Sequence, residues 1–420
     1  MPFTYGNEVC RPAFDSKPTP RVAYGLRFPE ACARHSLETF DSHKVFVICS
    51  RSLAANTKSL DRLRDALGDR LVGVRNGISP HTPITEVVEA IAEAKRLEVD
   101  CIVTLGAGSL TDAAKLVRFG LANNVTNEED MDSLWGKPDS NNNLREDIKR
   151  PSIPLIHIPT SLSGGEYQSI AGATESAARG HAKHTFHCLV DPELVLLDPE
   201  LCLTTPQHVW LSTGIRSVDH CVETLCSLQS NAKGDARAAA GLPVLVSGLL
   251  DSKNHAAGNG PEALDARFRC MQGVIDAMCA VSTGVPLGAS HAIGHQLGPL
   301  GVGHGETSCI LLPAVCKYNL EQHANDDRQT SVRDLLVEQE QVRALLHPRG
   351  LNSEHAELGD VLYAIINELG MPQSLQAVGV TKDKFEALAK NSLNDIWIKT
   401  NAVSITTTDQ VLAILEKCSG

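Results

Sequence analysis

Short apolar runs alternate with helical patterns in the first half of the chain. The runs cover residues 44–49, 71–74, 101–105, 153–158 and 194–197. Between the second and third of them, Val87, Ile91 and Ala94 recur at the spacing of one helix face. Apolar strands separated by helices are typical of a parallel sheet covered on both faces. The pattern predicts an α/β domain that binds ligands at the carboxyl ends of its strands.

Past about residue 204 the apolar residues recur with a helical period, and no convincing strand follows. The helical segments cover residues 209–228, 235–250, 262–281, 310–320, 358–369 and 407–417. We therefore predict two domains, an α/β domain at 1–203 and an all-helical domain at 204–420. The polar stretch 123–150 is expected to be an exposed insertion. The charged stretch 326–354 is expected to be a solvated helix with a loop.

The net charge of −12 over 420 residues argues against a general nucleic-acid binder, because no basic excess exists to displace counterions from phosphates. A small anionic substrate remains compatible, since one or two local arginines dominate at contact distance. The 13 cysteines are scattered without a Cys-x-x-Cys pair, which predicts reduced and mostly buried thiols. The first residues lack a signal-peptide pattern, and the apolar run 242–250 is too short for a bilayer. We expect a soluble, cytoplasmic protein without membrane or nucleic-acid partners.

A glycine-rich turn joins the apolar run 101–105 to a helical segment. Its residues are Gly106, Ala107, Gly108 and Ser109. Small residues at such a turn let backbone N–H groups approach a pyrophosphate at the helix N-terminus. The turn is not a Walker A loop, because no Gly-Lys-Ser/Thr follows it. Taken alone it fits a phosphate loop or a plain strand-to-helix turn.

A second loop, rich in hydroxyls and glycine, directly follows the apolar run 153–158. It contains Thr160, Ser161, Leu162 and Ser163 and continues with two glycines. Its position at a strand end suits the rim of a cofactor site. By itself it is also compatible with ordinary loop chemistry.

Together the two loops resemble signatures of the iron-containing alcohol dehydrogenase family. Gly-Ala-Gly-Ser-Leu-Thr-Asp-Ala-Ala-Lys at 106–115 is similar to that family's Gly-Gly-Gly-Ser-x-x-Asp-x-x-Lys. Pro-Thr-Ser-Leu-Ser-Gly-Gly-Glu at 159–166 is similar to its Pro-Thr-Thr-x-Ser-Gly-Ser-Glu. Further similar blocks follow in the family's order at 76–83, 191–192, 198–199, 297–313 and 400–401. The resemblance spans nearly the whole chain, from roughly residue 20 to residue 415.

The resemblance implies a Rossmann-like dinucleotide-binding domain, an all-α C-terminal domain, an active site in the cleft between them, and a homodimer. This architecture is the dehydroquinate synthase-like or iron-containing alcohol dehydrogenase fold. It also implies NADH or NADPH as the cofactor. The residues implied to line that cofactor are Ser50, Gly106, Ala107, Gly108, Ser109, Asp112, Thr160, Ser161, Leu162, Ser163 and Lys183. NAD-specific members carry an acidic residue at the end of the first strand, whereas Ser50 and Arg51 stand here. We therefore expect NADPH to be accepted as well.

Three histidines in the second half form a candidate metal or proton-transfer site. His291 and His295 are four residues apart on one predicted helix face, and His304 follows at a Gly-His-Gly turn. Neutral imidazoles bind Zn²⁺ or Fe²⁺, although a lone histidine is more often an ordinary surface or core residue. Metal-dependent family members hold one aspartate and three histidines. The three histidine positions are matched here by His220, His291 and His304.

Arg216 occupies the position of the family's metal-binding aspartate. A guanidinium cannot ligate a cation and repels one. Asp219 is next to His220 and is expected to point about a hundred degrees away from it on a helix, which makes it a poor substitute ligand. The interval from His295 to His304 is also one residue shorter than usual. These departures argue against essential Fe²⁺ or Zn²⁺.

Maleylacetate reductases, which the sequence also resembles, lack the aspartate and are regarded as working without a catalytic metal. The resemblance implies that Arg216 anchors a carboxylate or keto oxygen of the substrate, and that His220 or His295 supplies a proton. The simpler alternative is that Arg216 only forms an ion pair with Asp219 or Glu223.

The sequence therefore leads to an NAD(P)H-dependent reductase of a small anionic carbonyl or enoate compound, as in the reduction of maleylacetate to 3-oxoadipate. Two alternatives stay open. One is a metal-dependent alcohol dehydrogenase that uses the three histidines. The other is a diverged member with non-redox, lyase-like chemistry, because fold does not determine reaction.

Overall fold

The protein is described by a computed structural model that covers residues 3–135, 148–176, 183–256 and 258–420, with only the backbone at Lys183. The chain folds into two compact units. The α/β unit comprises Met1–Ser161 and Gly165–Thr204, and the helical unit comprises Leu162–Gly164 and Thr205–Gly420. The predicted fold class, an α/β domain followed by an all-helical domain, is confirmed.

A seven-stranded sheet forms the centre of the α/β unit. The strands of the chain are β1 (Val9–Pro12), β2 (Arg21–Tyr24), β3 (Val45–Cys49), β4 (Leu71–Asn76), β5 (Cys101–Leu105), β6 (Leu155–Ile158), β7 (Ile170–Thr174), β8 (Lys183–His187) and β9 (Leu194–Leu197). Their order in the sheet is β1-β2-β9-β6-β5-β3-β4. Only β1 runs antiparallel to its neighbour, β2. The strands β7 and β8 form a separate antiparallel hairpin.

Helices cover both faces of this sheet. They are α1 (Phe28–Arg34), α2 (Arg51–Asn56), α3 (Ser59–Leu67), α4 (Ile84–Arg96), α5 (Ser109–Ala122), α6 (Glu128–Leu134) and α7 (Pro199–Cys202). Successive residues of β3 enter opposite cores, because side chains alternate across a strand. Phe46 packs with α4 and α5, whereas Val45 and Val47 pack with α1 and α3. This two-sided burial explains the continuous apolar runs.

The helical unit contains ten α-helices in its described part. They are α8 (Gln207–Cys226), α9 (Ala232–Asn254), α10 (Pro261–Ser282), α11 (Ala289–Leu297), α12 (His304–Glu321), α13 (Asp326–Val337), α14 (Glu340–Leu346), α15 (Leu358–Glu368), α16 (Phe385–Ser392) and α17 (Thr408–Lys417). Helix α8 packs against α9, α10 and α12. At Gly305 the first turn of α12 approaches α8 so closely that an added Cβ would lie 2.5 Å from the carbonyl carbon of Ser212.

Two local expectations need correction, and some short strands were not predicted. The stretch 123–150 is not simply exposed, because α6 buries Met131 and Leu134 in the core; residues 136–147 lie outside the described part. The charged stretch 326–354 holds two helices, α13 and α14, and α13 buries Val332 and Leu336. The short strands β1, β2 and β7 were not predicted, because a run of four or five polar and apolar residues carries little periodic signal.

The predicted burial of the cysteines is confirmed. All 13 cysteines lie in the described part, none forms a disulfide, and only Cys10 is not buried. Among the described helices, we find none whose length and apolar character would allow it to cross a membrane.

Candidate active site

Three predicted cofactor segments begin at the carboxyl ends of neighbouring parallel strands. Ser50 follows β3, Gly106 follows β5, and Thr160 follows β6 after one proline. The backbone N–H of Ser50 donates to the carbonyl of Leu105 at 2.9 Å, and that of Gly106 donates to Ile158 at 3.1 Å. These bonds hold the three loops side by side at the carboxyl end of the sheet, which is where doubly wound α/β folds bind nucleotides.

The glycine turn takes backbone conformations that only glycine adopts easily. Gly106 has φ +139° and Gly108 has φ +67°, and α5 begins directly after them at Ser109. A helix N-terminus that follows such a turn directs N–H groups and the positive end of its dipole towards an anion. The predicted residues Gly106, Ala107, Gly108 and Ser109 are thus brought together in an arrangement that fits a pyrophosphate.

We predict that Gly106→Ala destabilises the α/β unit and weakens nicotinamide dinucleotide binding. The added carbon would lie 2.6 Å from Cδ1 of Leu110 and 3.0 Å from Cβ of Ser50, so the turn must move. We expect a loss of about 1–3 kcal/mol in the free energy of unfolding and at least a tenfold weaker dinucleotide affinity, measured by calorimetry. Gly108→Ala is the matched control, because its φ is also positive but no atom lies within 4 Å. If both variants lost the same unfolding free energy, the steric clash of the added carbon at Gly106 could not be the cause.

Asp112 connects the phosphate loop to the β7–β8 hairpin. One carboxylate oxygen accepts the backbone N–H of Gly172 at 3.1 Å, and the other lies 3.4 Å from Nζ of Lys115. Lys115 is fully buried and donates to the carbonyl of Ile170 at 2.7 Å. Asp112 therefore also supports the structure, beside its predicted place at the cofactor. The backbone of Lys183 lies opposite Thr174 in the hairpin, but its side chain lies outside the described part.

The hydroxyl-rich loop is divided between the two units. Thr160 and Ser161 belong to the α/β unit, whereas Leu162 and Ser163 belong to the helical unit. The backbone N–H of Leu162 donates to Oγ1 of Thr213 at 3.1 Å, and its carbonyl accepts the hydroxyl of Ser217. The first half of α8 therefore holds this part of the loop.

A stripe of ionisable side chains runs along one face of α8. Arg216, Asp219, His220 and Glu223 follow one another at intervals of three, one and three residues, and helical geometry places them side by side. On the surface of the helix, Arg216 and Glu223 lie almost in line along the axis. Asp219 and His220 project to opposite sides of that line. Asp219 was expected to point away from His220 and to be a poor substitute ligand; its Oδ2 nevertheless lies 3.4 Å from Nδ1 of His291.

The carboxylate of Asp219 is buried and accepts two hydroxyl groups. Ser290 Oγ donates to its Oδ2 at 2.9 Å, and Ser308 Oγ donates to the same atom at 2.6 Å. Burial raises the pKa of Asp219 to about 6, against the lowering effect of Arg216 and the two hydroxyls. The side chain thus joins α8 to the starts of α11 and α12.

The carboxylate of Glu223 holds the beginning of α11. It accepts the backbone N–H groups of Gly288 and Ser290, each at 2.9 Å, and Nδ1 of His291 donates to it at 2.7 Å. Burial, and next the charge of Asp219, raise the pKa of Glu223 well above its ordinary value. This residue orients His291 and fixes which ring nitrogen carries the proton.

Arg216 makes no direct ion pair with a carboxylate within the described part of the chain. Its Nη1 donates to Oγ of Ser308 at 3.2 Å, and that hydroxyl bridges to Asp219. Burial lowers the pKa of Arg216, while the charges of Asp219, Glu223 and Asp395 raise it. The guanidinium stays charged and partly exposed.

His220 and His291 lie together in the interior with their rings stacked at 4.8 Å. Burial, and next the charge of Arg216, lower the pKa of His220 to about 3. The same two causes lower the pKa of His291 well below its ordinary value. Both imidazoles are therefore neutral near pH 7. Within the described residues, Nδ1 of His220, Nε2 of His291 and Oδ1 of Asp219 are buried without a hydrogen-bond partner.

His295 and His304 lie nearer the surface of the helical unit. Nδ1 of His295 pairs with Oδ2 of Asp395 at 2.8 Å. His304 is exposed and is the first residue of α12. Both histidines contribute to lowering the pKa of His291, which places their charges within electrostatic reach of it. His220 and His291 thus lie in ring contact, and Arg216, His295 and His304 lie near enough to act electrostatically on His291.

Comparison with known proteins places the whole arrangement in a family. Residues 26–199 match the family described as "Iron-containing alcohol dehydrogenase". Residues 210–419 match the family described as "Fe-containing alcohol dehydrogenase family, C-terminal". The chain belongs to the iron-containing alcohol dehydrogenase family. It is therefore an oxidoreductase of the dehydrogenase type by family.

Relatives within this family differ in their named activities. The chain is 39% identical to the dehydrogenase FUM7 of Gibberella moniliformis, with 92% of this chain and 93% of the relative covered. It is 36% identical to the dehydrogenase ALT3 of Alternaria alternata, covering 90% and 99%. A maleylacetate reductase of Burkholderia cepacia is 26% identical, covering 88% of both chains.

The residues of this cluster offer features both against and for the divalent cation for which the family is named. A guanidinium stands at the carboxylate position, and its charge would repel a metal between His220 and His291. Asp219, Glu223 and His291 do bring possible ligand atoms within 4.8 Å of one another. However, both oxygens of Glu223 and Oδ2 of Asp219 already accept protein hydrogen bonds. Nδ1 of His291 is engaged with Glu223 at 2.7 Å. Nε2 of His291, Nδ1 of His220 and Oδ1 of Asp219 have no hydrogen-bond partner among the described residues and are the ligand atoms that stay open.

Sequence reasoning named Asp219 and Glu223 only as possible ion-pair partners of Arg216, and it missed Ser308 and Asp395. Glu223 and Asp219 were detectable, because they share the helical stripe of Arg216. Ser308 and Asp395 were not, since they reach the site across 92 and 100 residues of sequence.

Proposed function

We propose that the protein is an NAD(P)H-dependent reductase of a small anionic carbonyl or enoate compound, such as maleylacetate, and that it needs no metal ion. The observation that carries this proposal is the bonding of Arg216. A guanidinium whose one hydrogen-bond partner in the described chain is a neutral hydroxyl keeps its other N–H groups for an anionic ligand. The similarity to a maleylacetate reductase gives independent support.

The glycine turn supports a nicotinamide dinucleotide as the cofactor. A bound reduced nicotinamide would supply the hydride, and the turn 106–109 would hold its pyrophosphate. The end of β3 offers Ser50 and Arg51 and no carboxylate that would repel a 2′-phosphate. The side chain of Arg51 is 63% exposed, and its Nη2 lies 3.9 Å from Oε2 of Glu86. We propose that both NADH and NADPH are accepted.

Two protein groups would act on the substrate. Arg216 would bind a carboxylate or the carbonyl oxygen by paired N–H donors and stabilise the negative charge that develops there. Of the two predicted proton donors, His295 suits the role better than His220. A pKa of about 3 leaves His220 without an acidic proton to give at neutral pH. His295, with a partner carboxylate and 29% side-chain exposure, can carry one to the substrate.

The test is a spectrophotometric assay of NADH and NADPH oxidation with maleylacetate, with and without prior EDTA treatment. We expect turnover with both cofactors and equal rates after chelation, because Arg216 replaces the metal as the electrophile. A monomethyl ester of the substrate is the control, and it should be reduced more slowly because it lacks one negative charge.

Other outcomes of the same assay identify the alternatives. Rates that fall on chelation and return with Fe²⁺ or Zn²⁺ would replace the proposal with a metal-dependent alcohol dehydrogenase. Absence of cofactor oxidation with maleylacetate and other oxo acids and enoates would contradict the proposed reductase and direct attention to non-redox chemistry.

A further inference from the structure

The contact between His295 and Asp395 joins two segments of the helical unit. His295 lies in the last turn of α11, and Asp395 precedes the 3-10 turn Ile396–Thr400. Oδ2 of Asp395 lies 2.8 Å from Nδ1 of His295, while its Oδ1 accepts the backbone N–H of Trp397 at 3.0 Å. Both carboxylate oxygens are therefore committed, and the carboxylate cannot rotate without losing a hydrogen bond.

This bond determines the chemistry of the imidazole. A carboxylate beside Nδ1 keeps a proton on that nitrogen and leaves Nε2 as the atom that exchanges protons with a substrate. The charge of Asp395 also reaches the guanidinium of Arg216, since it raises the pKa of that group.

Exposure separates this pair from the similar pair beside it. His291 also donates through Nδ1 to a carboxylate, Glu223, but its side chain is only 2% exposed. The side chains of His295 and Asp395 are 29% and 12% exposed. A substrate can therefore reach the imidazole of His295 while its partner carboxylate stays mostly shielded from water.

We propose that Asp395 is a positioning residue for proton transfer, because it orients His295 and makes Nε2 the proton-donating atom. This inference rests on the proposed reductase function. A bound reduced nicotinamide would supply the hydride to the substrate carbon and would be oxidised in doing so. The N–H bond at Nε2 of His295 breaks, and its proton forms an O–H bond on the developing alkoxide, or a C–H bond when an enoate is reduced. The neutral imidazole then recovers a proton from water.

Asp395→Asn tests the proposal with little change of shape. Asparagine caps a helical turn about as well as aspartate, so the bond to Trp397 can persist. We expect kcat for the anionic substrate to fall by roughly 10²–10⁴-fold, the range of general acid catalysis, and KM to change by less than about twofold because Arg216 still binds the anion. Asp326→Asn is the matched control. It removes the same kind of carboxylate partner from an exposed histidine, His323, in the same unit and should leave kcat unchanged.

A double variant distinguishes action through His295 from an independent effect. Asp395→Asn combined with His295→Gln should lose no more activity than His295→Gln alone. Losses that multiply, or an unchanged kcat in Asp395→Asn, would overturn the proposal.

Histidine-selective ¹⁵N NMR gives a readout that does not depend on activity. We expect the wild-type His295 to carry its proton on Nδ1 when neutral, and Asp395→Asn to shift the proton population towards Nε2. A wild-type signal from the Nε2–H form would refute the positioning role. If the wild type oxidises no cofactor with any acid tested while Nδ1 is protonated, the proposed reaction fails and the orientation of His295 by Asp395 stands.

Discussion

Arg216→Ala should lower kcat/KM for a dianionic substrate by about 3 kcal/mol, which is roughly 150-fold. The variant removes the charge that would pair with the substrate, and Ser308 cannot replace it because a hydroxyl is neutral. We expect most of the loss to appear as a higher KM, since the guanidinium binds the anion before and during the reaction. Steady-state kinetics with a dianionic substrate and its monoester measure the effect, and the difference between the two substrates should shrink in the variant.

The control for this prediction is Arg237→Ala in the same unit. Arg237 pairs with Asp276 at 3.2 Å at the partly exposed surface, so its loss should change kcat/KM by less than about twofold. A second variant, Arg216→Asp, restores the carboxylate of metal-dependent relatives. It should bind Zn²⁺ or Fe²⁺ more tightly than the wild type in calorimetry. Unchanged kinetics in Arg216→Ala would remove this residue from the mechanism.

Glu223→Ala should destabilise the helical unit by about 3–5 kcal/mol, the usual effect of removing one partner from a buried charged network. The variant leaves three donors without their acceptor, namely the N–H groups of Gly288 and Ser290 and Nδ1 of His291. Unpaired buried donors carry their full desolvation cost. Chemical denaturation followed by circular dichroism measures the loss as a lower midpoint.

Two comparisons make the stability prediction specific. Glu223→Gln keeps one of the two acceptor oxygens in nearly the same shape and should lose less than Glu223→Ala. Glu321→Ala removes an exposed ion pair with Lys417 and should stay within about 0.5 kcal/mol of the wild type. A loss below about 1 kcal/mol in Glu223→Ala would mean that water or another group replaces the carboxylate.

The fold was predictable where burial imposes a pattern. Strands β3, β5 and β9 lie inside the parallel sheet with both faces covered, and their unbroken apolar runs identified them. Strand β2 has only four residues, of which Arg21 and Tyr24 are partly exposed, and it carries no such run. Likewise, α6 was hidden in a polar stretch because only Met131 and Leu134 are buried.

The candidate site was predictable to the extent that motifs carry it. The family resemblance identified the histidines and Arg216, and the helical period of α8 contained the information about Glu223. The hydrogen-bond partners of Arg216 and His295 could not be predicted from the sequence, because they are tertiary contacts. Neither the hydroxyl of Ser308 beside Arg216 nor the carboxylate of Asp395 beside His295 leaves a local signal.

The tripeptide Leu162–Gly164 has a consequence for how this protein is made. It belongs to the helical unit, although the chain on both sides of it belongs to the α/β unit. On the ribosome these three residues emerge before Thr213 and Ser217, which bind the backbone of Leu162. The first unit can therefore complete its sheet during translation, whereas this segment waits for later residues. A gene fragment that starts at residue 205 would encode the helices of the helical unit but would lack Leu162–Gly164, the segment that α8 binds.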